Sequence, residues 1–343
     1  MVFRSLLWPI SLMHSLILLI RHLLFDWSLL PSKKALGKTL VIGNIRMGGT
    51  GKSPVTIAML ELLQEMNLSA AFLSRGYGRE TTGFISIVPD STANEVGDEP
   101  LMIANKFKSI PAAVCEDRLH GIHHLLLENS TCTWVVLDDA FQHRKLISDV
   151  SLLLTNYSDL YIDDFVFPLG DLRDLMYRAS KANVVGITYV PKELCNEKTA
   201  AYLRERLALN SNQKLVLFYA NYESPKAIQG EYQWNVGAPS YLFSGLANNN
   251  SFFERGIALS RAAVCKSFPD HHNYSIEDIE QILHEWRTFD ANETQILTTE
   301  KDAVKIKHVL KENRVPIFYL PLRMEIGFGK EDLIDLITMK TRV

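Results

Sequence analysis

The segment VIGNIRMGGTGKSP, residues 41–54, constrains the fold more than any other part of the chain: an apolar strand-like run passes into a glycine-rich turn that ends on a lysine and a serine. A strict phosphate-loop pattern, GxxxxGK followed by Ser or Thr, asks for glycine at position 46, where Arg46 stands. The rest of the chemistry is intact. Gly48, Gly49 and Gly51 let backbone amides approach phosphate oxygens, Lys52 supplies an ammonium, and Ser53 offers a hydroxyl suited to Mg2+. Residues 39 to 45 read as a buried strand, and Val55, Ala58, Met59, Leu62, Leu63 and Met66 recur at helical spacing, so strand, loop and helix follow in order. Pro54 falls in the first helical turn, where a missing N–H is tolerated and the neighbouring amides face an anion. The expected ATP-binding segment is Arg46, Met47, Gly48, Gly49, Thr50, Gly51, Lys52 and Ser53.

Beyond the loop, apolar runs at Ala70 to Leu73, Ala112 to Cys115, Trp134 to Leu137, Val150 to Leu154 and Val184 to Tyr189 alternate with helical stretches. That alternation predicts an α/β fold of the P-loop NTPase type, with a doubly wound, mainly parallel sheet whose ligands gather at the carboxyl ends of the strands. After Lys214 to Tyr219 comes the polar stretch NYESPKAIQGEYQWNVGAPS, which fits an interdomain connection. Runs at Tyr241 to Ser244, Thr294 to Leu297 and Pro316 to Leu320, with helices around 276–288 and 331–338, predict a smaller C-terminal α/β domain. The expected division is an N-terminal helical segment over 1–32, the P-loop domain over 33–213, the connection over 214–239 and the second domain over 240–343.

The charge balance, 36 basic against 39 acidic residues for a net −3, argues against a nucleic-acid partner held by bulk charge. Cys115, Cys132, Cys195 and Cys265 are widely spaced and form no CxxC pair, which fits a reducing, cytoplasmic setting. The first thirty residues are strongly apolar, yet His14, Arg21, His22 and Asp26 interrupt them. A spanning helix wants about 20 mostly apolar residues; the cleanest run, Ser5 to Ile20, is shorter and contains Pro9 and His14. No small-residue cleavage site follows. Two readings stand: a helix or helical pair in the membrane interface with Trp8 and Trp27 near headgroups, or a helical hairpin packed on the protein's own core.

Trp134 to Leu137 lead into Asp138 and Asp139, two carboxylates at a strand end, where a Walker B strand holds Mg2+. Without the loop they would read as turn formers. In VGDEPLMIANKF, Asp98 stands immediately before a helix, the ordinary place of an N-cap. A kinase also needs an acid near the acceptor hydroxyl, and SFPDHHNY offers His271 as its partner. LSRGYGRE sets Arg75, Tyr77 and Arg79 around two glycines, a cradle for an anionic or sugar ligand, while Arg118 and Arg173 follow other strand-like runs. One such arginine is commonly a surface ion pair; several at strand ends point to a site.

Together the apolar N-terminus, GNIRMGGTGKSP, SRGYGR, GDEP, LDDAFQHR, PLGDLRD, FPDHHNY and TTEKDAVK, spread in consistent order over roughly residues 1 to 305, resemble the tetraacyldisaccharide 4'-kinase family, the lipid A 4'-kinases. The resemblance implies transfer of the ATP γ-phosphate to the 4'-hydroxyl of a tetraacylated disaccharide 1-phosphate, giving lipid IVA at the cytoplasmic face of the bacterial inner membrane. It makes the N-terminus a peripheral membrane segment, the membrane surface and a lipid disaccharide the partners, and requires no obligate protein partner. Lys52 and Ser53 would serve ATP and Mg2+, Asp138 and Asp139 the metal and phosphates, and Asp98 with His271 would deprotonate the acceptor. Asn44, Arg75, Tyr77, Arg118, Gln142 and Arg173 would line the substrate side. Two departures stand out: Asp174 and Leu175 follow Arg173 where the family commonly has Arg-Glu-Pro, and His272 directly follows His271. The competing reading is a membrane-associated switch ATPase, which shares the GGxGK loop and an amphipathic helix but carries a lysine just before the glycine pair, where Met47 stands. A soluble ligase or small-molecule kinase on the same fold leaves the N-terminus unexplained.

Overall fold

In the computed structural model, which describes residues 6–270, 272–289, 294–307, 309–310 and 315–342, nine strands form one sheet and five another. The large sheet runs in the spatial order Leu322–Phe328, Lys214–Tyr222, Val184–Thr188, Val150–Asn156, Lys38–Asn44, Trp134–Leu137, Ala70–Ser74, Ala112–Val114, Ile85–Ser86. Neighbours are parallel throughout except at the two edges, Leu322–Phe328 and Ile85–Ser86. Parallel strands need both faces covered, and alternate side chains of Lys38–Asn44 go to different cores. Leu40 and Ile42 pack with Met59 and Leu63 of the Lys52–Glu65 helix. Val41 packs in the opposite core with Ile122 and Leu125 of the Arg118–Glu128 helix. This is the doubly wound α/β architecture that the apolar alternation predicts.

The second sheet orders Lys226–Ala227, Ile317–Leu320, Gln295–Thr299, Ser240–Ser244 and Ala263–Ser267. Ala263–Ser267 is an edge strand with largely exposed residues, so it carries no apolar signal. The expected domain limits do not follow the sheets. Lys214–Tyr222, which falls wholly within the expected connection over 214–239, is an interior strand of the large sheet. Leu322–Phe328 and the Lys330–Arg342 helix, expected in the C-terminal domain, return to that sheet, where Leu333, Leu336 and Ile337 join its core. The pairing sets Tyr222 opposite Leu322, a distance along the chain that local periodicity does not encode. The second unit therefore occupies 223–321, and Glu223 N donates to Pro321 O at 3.1 Å where the chain leaves and re-enters the large sheet.

Near the N-terminus the helix Trp8–Asp26 lies against the large unit, with Pro9 in its first turn. It buries Ser11, His22 and Phe25 and turns Trp8, Ile10, Leu12, Met13, Leu16, Ile17 and Ile20 outward. Ser11 Oγ donates to Val166 O at 2.6 Å, and His14 Nδ1 lies 2.9 Å from Phe167 O. A hairpin packed on the core would bury most of its apolar residues; this helix buries Phe25 and is otherwise seated by polar side chains.

Candidate active site

The chain leaves the Lys38–Asn44 strand, turns through the glycine loop and enters the Lys52–Glu65 helix. Gly48 has φ 102° and Gly51 φ 74°, left-handed conformations that favour glycine. A Cβ on Gly51 would meet Met324 Cε at 3.1 Å and Tyr189 Cε2 at 3.2 Å, so the loop is wedged there. A Cβ on Gly48 or Gly49 would meet nothing within 4 Å, which leaves their amides open to a ligand. Beneath the loop, Asn44 Nδ2 donates to Thr50 Oγ1 at 2.6 Å, and Thr188 Oγ1 donates to Thr50 O at 3.0 Å. The Arg46 guanidinium turns sideways: it pairs with Asp159, with Asp164 at 2.8 Å and with Asp171 at 3.5 Å. Arg46 thus braces the loop from outside, and its contribution toward a phosphate is that of its main chain.

Asp138 and Asp139 end the Trp134–Leu137 strand, and their environments drive them apart. Burial, with Glu99 and Asp139 adding to it, pushes the Asp138 carboxyl up to about 7, against the opposing pull of Lys52. Thr56 Oγ1 donates to Asp138 Oδ1 at 3.3 Å. Asp139 sits at φ 47°, a strained backbone for a non-glycine residue and a common sign of a working site. Burial raises its carboxyl too, but the Arg173 hydrogen bond and the charges of Lys52, Arg173 and Arg118 outweigh this and hold it below the usual range. Arg173 Nη1 donates to Asp139 Oδ2 at 3.0 Å, and Nη2 donates to Asp139 Oδ1 and Asn44 Oδ1. Paired acids pushed apart in this way can hold different protonation states at one pH.

Ser53 Oγ donates to Glu99 Oε2 at 2.6 Å, and Glu99 N donates to Asp98 Oδ1 at 2.8 Å. Asp98 is the first residue of the Asp98–Lys106 helix, not the residue before it; Gly97, at φ 91°, takes the cap position. Against this helix packs Glu300–Ile306 from the second unit. Lys301 Nζ lies 3.1 Å from Glu99 Oε1, 3.6 Å from Asp270 Oδ1 and 3.8 Å from Asp98 Oδ2. Burial alone would push the Lys301 ammonium down, but the charges of Glu99, Asp98 and Asp270 hold it above the usual lysine range. Lys305 Nζ lies 3.7 Å from Asp98 Oδ2 and donates to His272 O at 2.9 Å. His271 lies outside the described residues; His272 Nε2 is 3.0 Å from Asp278 Oδ2.

These elements enclose a cleft of about 1060 Å³ between the two units. The profile of the family described as tetraacyldisaccharide-1-P 4'-kinase matches residues 3–342. The chain belongs to the tetraacyldisaccharide-1-P 4'-kinase family. Among relatives named tetraacyldisaccharide 4'-kinase, that of Flavobacterium johnsoniae is 37% identical over 325 residues, covering 93% of this chain and 92% of its own. The Bacteroides thetaiotaomicron protein of the same name is 35% identical and covers 95% of this chain and 90% of its own. The fold is similar to that of a crystal structure of LpxK from Aquifex aeolicus in complex with ATP, with a TM-score of 0.76, 24% identity and 99% of both chains covered.

Measured against the positions that the resemblance to tetraacyldisaccharide 4'-kinases singles out, the cleft is lined by Arg46 to Ser53, Arg75, Tyr77, Asp98, Arg118, Asp138, Asp139, Gln142 and Arg173. Asn44 lies fully buried under the loop, and its side chain reaches the cleft through Thr50 and Arg173. Arg118 is buried and donates to Cys115 O and Glu116 O, both at 3.0 Å, and Gln142 Nε2 donates to Asn44 O at 2.6 Å. Arg79, expected beside Arg75 and Tyr77 in the cradle, turns away to Glu116 at 2.5 Å and Gly83 O at 2.7 Å. Sequence reasoning missed Arg21, Glu99, His143 and Lys301, all of which line the cleft, and Lys305 behind it. Glu99 stands next to Asp98 in GDEP, and the two lysines sit one helical turn apart in TTEKDAVK, so the signal was present in the quoted motifs. His143 is pushed down to about 4, first by burial and then by the Arg118 charge, so its ring is neutral at pH 7.

Proposed function

We propose that this cleft transfers the γ-phosphate of ATP to the 4'-hydroxyl of a tetraacyldisaccharide 1-phosphate, forming lipid IVA in lipid A biosynthesis. One observation carries the reading: Ser53 Oγ donates to the Glu99 carboxylate and Glu99 N donates to Asp98 Oδ1, so the candidate acid stands next to the residue tied to the end of the phosphate loop. Phosphoryl transfer depends on positioning and charge neutralisation more than on covalent chemistry. The loop amides and Lys52 hold the ATP phosphates. The oxygen donors of Ser53, Asp138 and Asp139, with Glu99 beside them, fit a hard cation such as Mg2+. When bound, that ion neutralises charge on the phosphate oxygens. Asp98, with His271 as its partner, takes the 4'-hydroxyl proton as the acceptor oxygen bonds to the γ-phosphorus and the bond to the ADP oxygen breaks. Arg75, Tyr77, Arg118, Gln142 and Arg173 face the disaccharide phosphate, with Asn44 setting Arg173 from below.

The lipid reaches this site from a membrane surface. Arg21, on the apolar N-terminal helix, donates to Gln142 O at 3.1 Å and lines the cleft, so the outward apolar face of that helix adjoins the acceptor side. Phe165 and Phe167, exposed on the loop that Ser11 and His14 hold, extend the same face. This supports a peripheral enzyme on the cytoplasmic face of the inner membrane, with 1–32 as the membrane segment and the second unit as a lid over the nucleotide.

The test is transfer of labelled γ-phosphate from ATP to purified tetraacyldisaccharide 1-phosphate in mixed micelles, comparing wild type with Asp98→Ala. Labelled lipid, reduced at least about 10²-fold in the variant, is the expected result. ATP hydrolysis without labelled lipid would put the switch-ATPase reading in its place.

A further inference from the structure

Besides the Arg21 bond to Gln142 O, the N-terminal helix meets the active-site framework through a fully buried polar pair. His22 and Asp174 are 0% and 1% exposed, and His22 Nε2 lies 2.6 Å from Asp174 Oδ1. On the other side of the ring, Arg144 Nη1 lies 3.2 Å from His22 Nδ1 and its Nη2 donates to Asp26 Oδ1 at 2.7 Å. A guanidinium only donates, so Nδ1 accepts and the ring proton sits on Nε2, donated to Asp174. Asp174 Oδ1 also accepts from Leu175 N at 2.8 Å, which fixes the carboxylate against its own backbone.

Asp174 directly follows Arg173. The Arg173 amide donates to Ile45 O at 2.9 Å, and its guanidinium grips Asp139 and Asn44. Consecutive residues are therefore held from opposite sides, Arg173 by the phosphate-loop framework and Asp174 by the helix. A helix seated for stability alone would bury apolar residues, since a buried polar pair gains little over them. This one turns Leu12, Leu16 and Ile20 outward and buries an imidazole on a carboxylate. What directed hydrogen bonds supply, and apolar packing does not, is a fixed register between two elements.

We infer that His22 and Asp174 are positioning residues for phosphoryl transfer: the clasp between them seats the membrane-facing helix in one register and thereby sets Arg173, and through it Asp139 and the loop. The inference rests on the kinase reading above. It also gives the departure at 174 a role: an aspartate suffices where the imidazole itself reaches to the carboxylate.

The experiment measures kcat, KM for lipid, KM for ATP, vesicle binding and the thermal unfolding midpoint for wild type, His22→Ala and His22→Gln. Glutamine keeps an amide donor near the position of Nε2. His22→Ala is expected to lower kcat about 10- to 100-fold at saturating lipid, the scale of a misplaced catalytic frame. Its KM for ATP and its vesicle binding stay within about twofold of wild type, and His22→Gln recovers kcat to within about threefold. A folded His22→Ala protein with wild-type kcat overturns the inference. So does a kcat loss in both variants that follows their unfolding midpoints, which marks a structural role only. A wild type that labels no lipid fails the kinase reading and the inference together, whereas failure of the inference alone leaves wild-type labelling intact.

Discussion

The two walls of the cleft are built from different materials. The loop wall is main chain: two glycines in left-handed conformations, Thr50 tied to Asn44 and Thr188, and Arg46 braced against three aspartates. The opposite wall is side-chain charge, in which Lys301 donates to Glu99 at 3.1 Å and also lies 3.6 Å from Asp270 and 3.8 Å from Asp98. Amides aimed by backbone geometry cost no reorganisation when a phosphate arrives. Ammonium groups on long stems must exchange partners. Precision sits in one wall and adaptability in the other.

The largest effect should fall on the fixed wall. Lys52→Ala should lower kcat by about 10²- to 10³-fold in the micelle assay, with the unfolding midpoint little changed, because the other loop cation, Arg46, is turned aside onto aspartates. Lys301→Ala should lower kcat only about tenfold and cost about 1 kcal/mol in urea unfolding, since Lys305 remains near the buried Asp98 while Glu99 and Asp270 are partly exposed to solvent. Equal losses of kcat in the two variants would break the comparison.

The fixed wall also carries two opposed proton shifts. Asp138 is raised from 3.8 to about 7, so in that interval the folded chain holds a proton that the unfolded chain has released, and stability falls as pH rises. His143 is lowered from 6.5 to about 4, so there the unfolded chain holds the extra proton and stability rises with pH. Over roughly pH 4 to 6.5 these two slopes oppose each other. Asp138→Asn should remove one of them and leave stability climbing by about 1.4 kcal/mol per pH unit over roughly pH 4 to 6.5, read from urea midpoints. A flat profile in that variant would show that the His143 ring is not held neutral by the wall.

The same contrast explains what could be read in advance. The loop, the parallel strands and the Asp138–Asp139 pair were legible because a glycine turn, an apolar run and a strand-end acid are local patterns. Lys301 and Lys305 were not assigned, although TTEKDAVK was noticed, because their role depends on packing against Asp98 across the cleft. Arg79 shows the converse error: its spacing beside Arg75 suggested a ligand cradle, but Glu116, distant in sequence, claims it. The exchange of Leu322–Phe328 back into the large sheet was invisible for the same reason. Local chemistry is written in adjacent residues; ownership of a charge is decided by the fold.

The adjacency of Glu223 and Pro321 makes the intervening stretch a cassette with one shared doorway. Both of its connections are continuations of two hydrogen-bonded neighbouring strands, Lys214–Tyr222 and Leu322–Phe328, which act together as a two-stranded strap. Met324 lies on the second of these strands, and its Cε stands 3.1 Å from the Cβ position of Gly51, so the strand that leads the chain out of the cassette also packs on the phosphate loop.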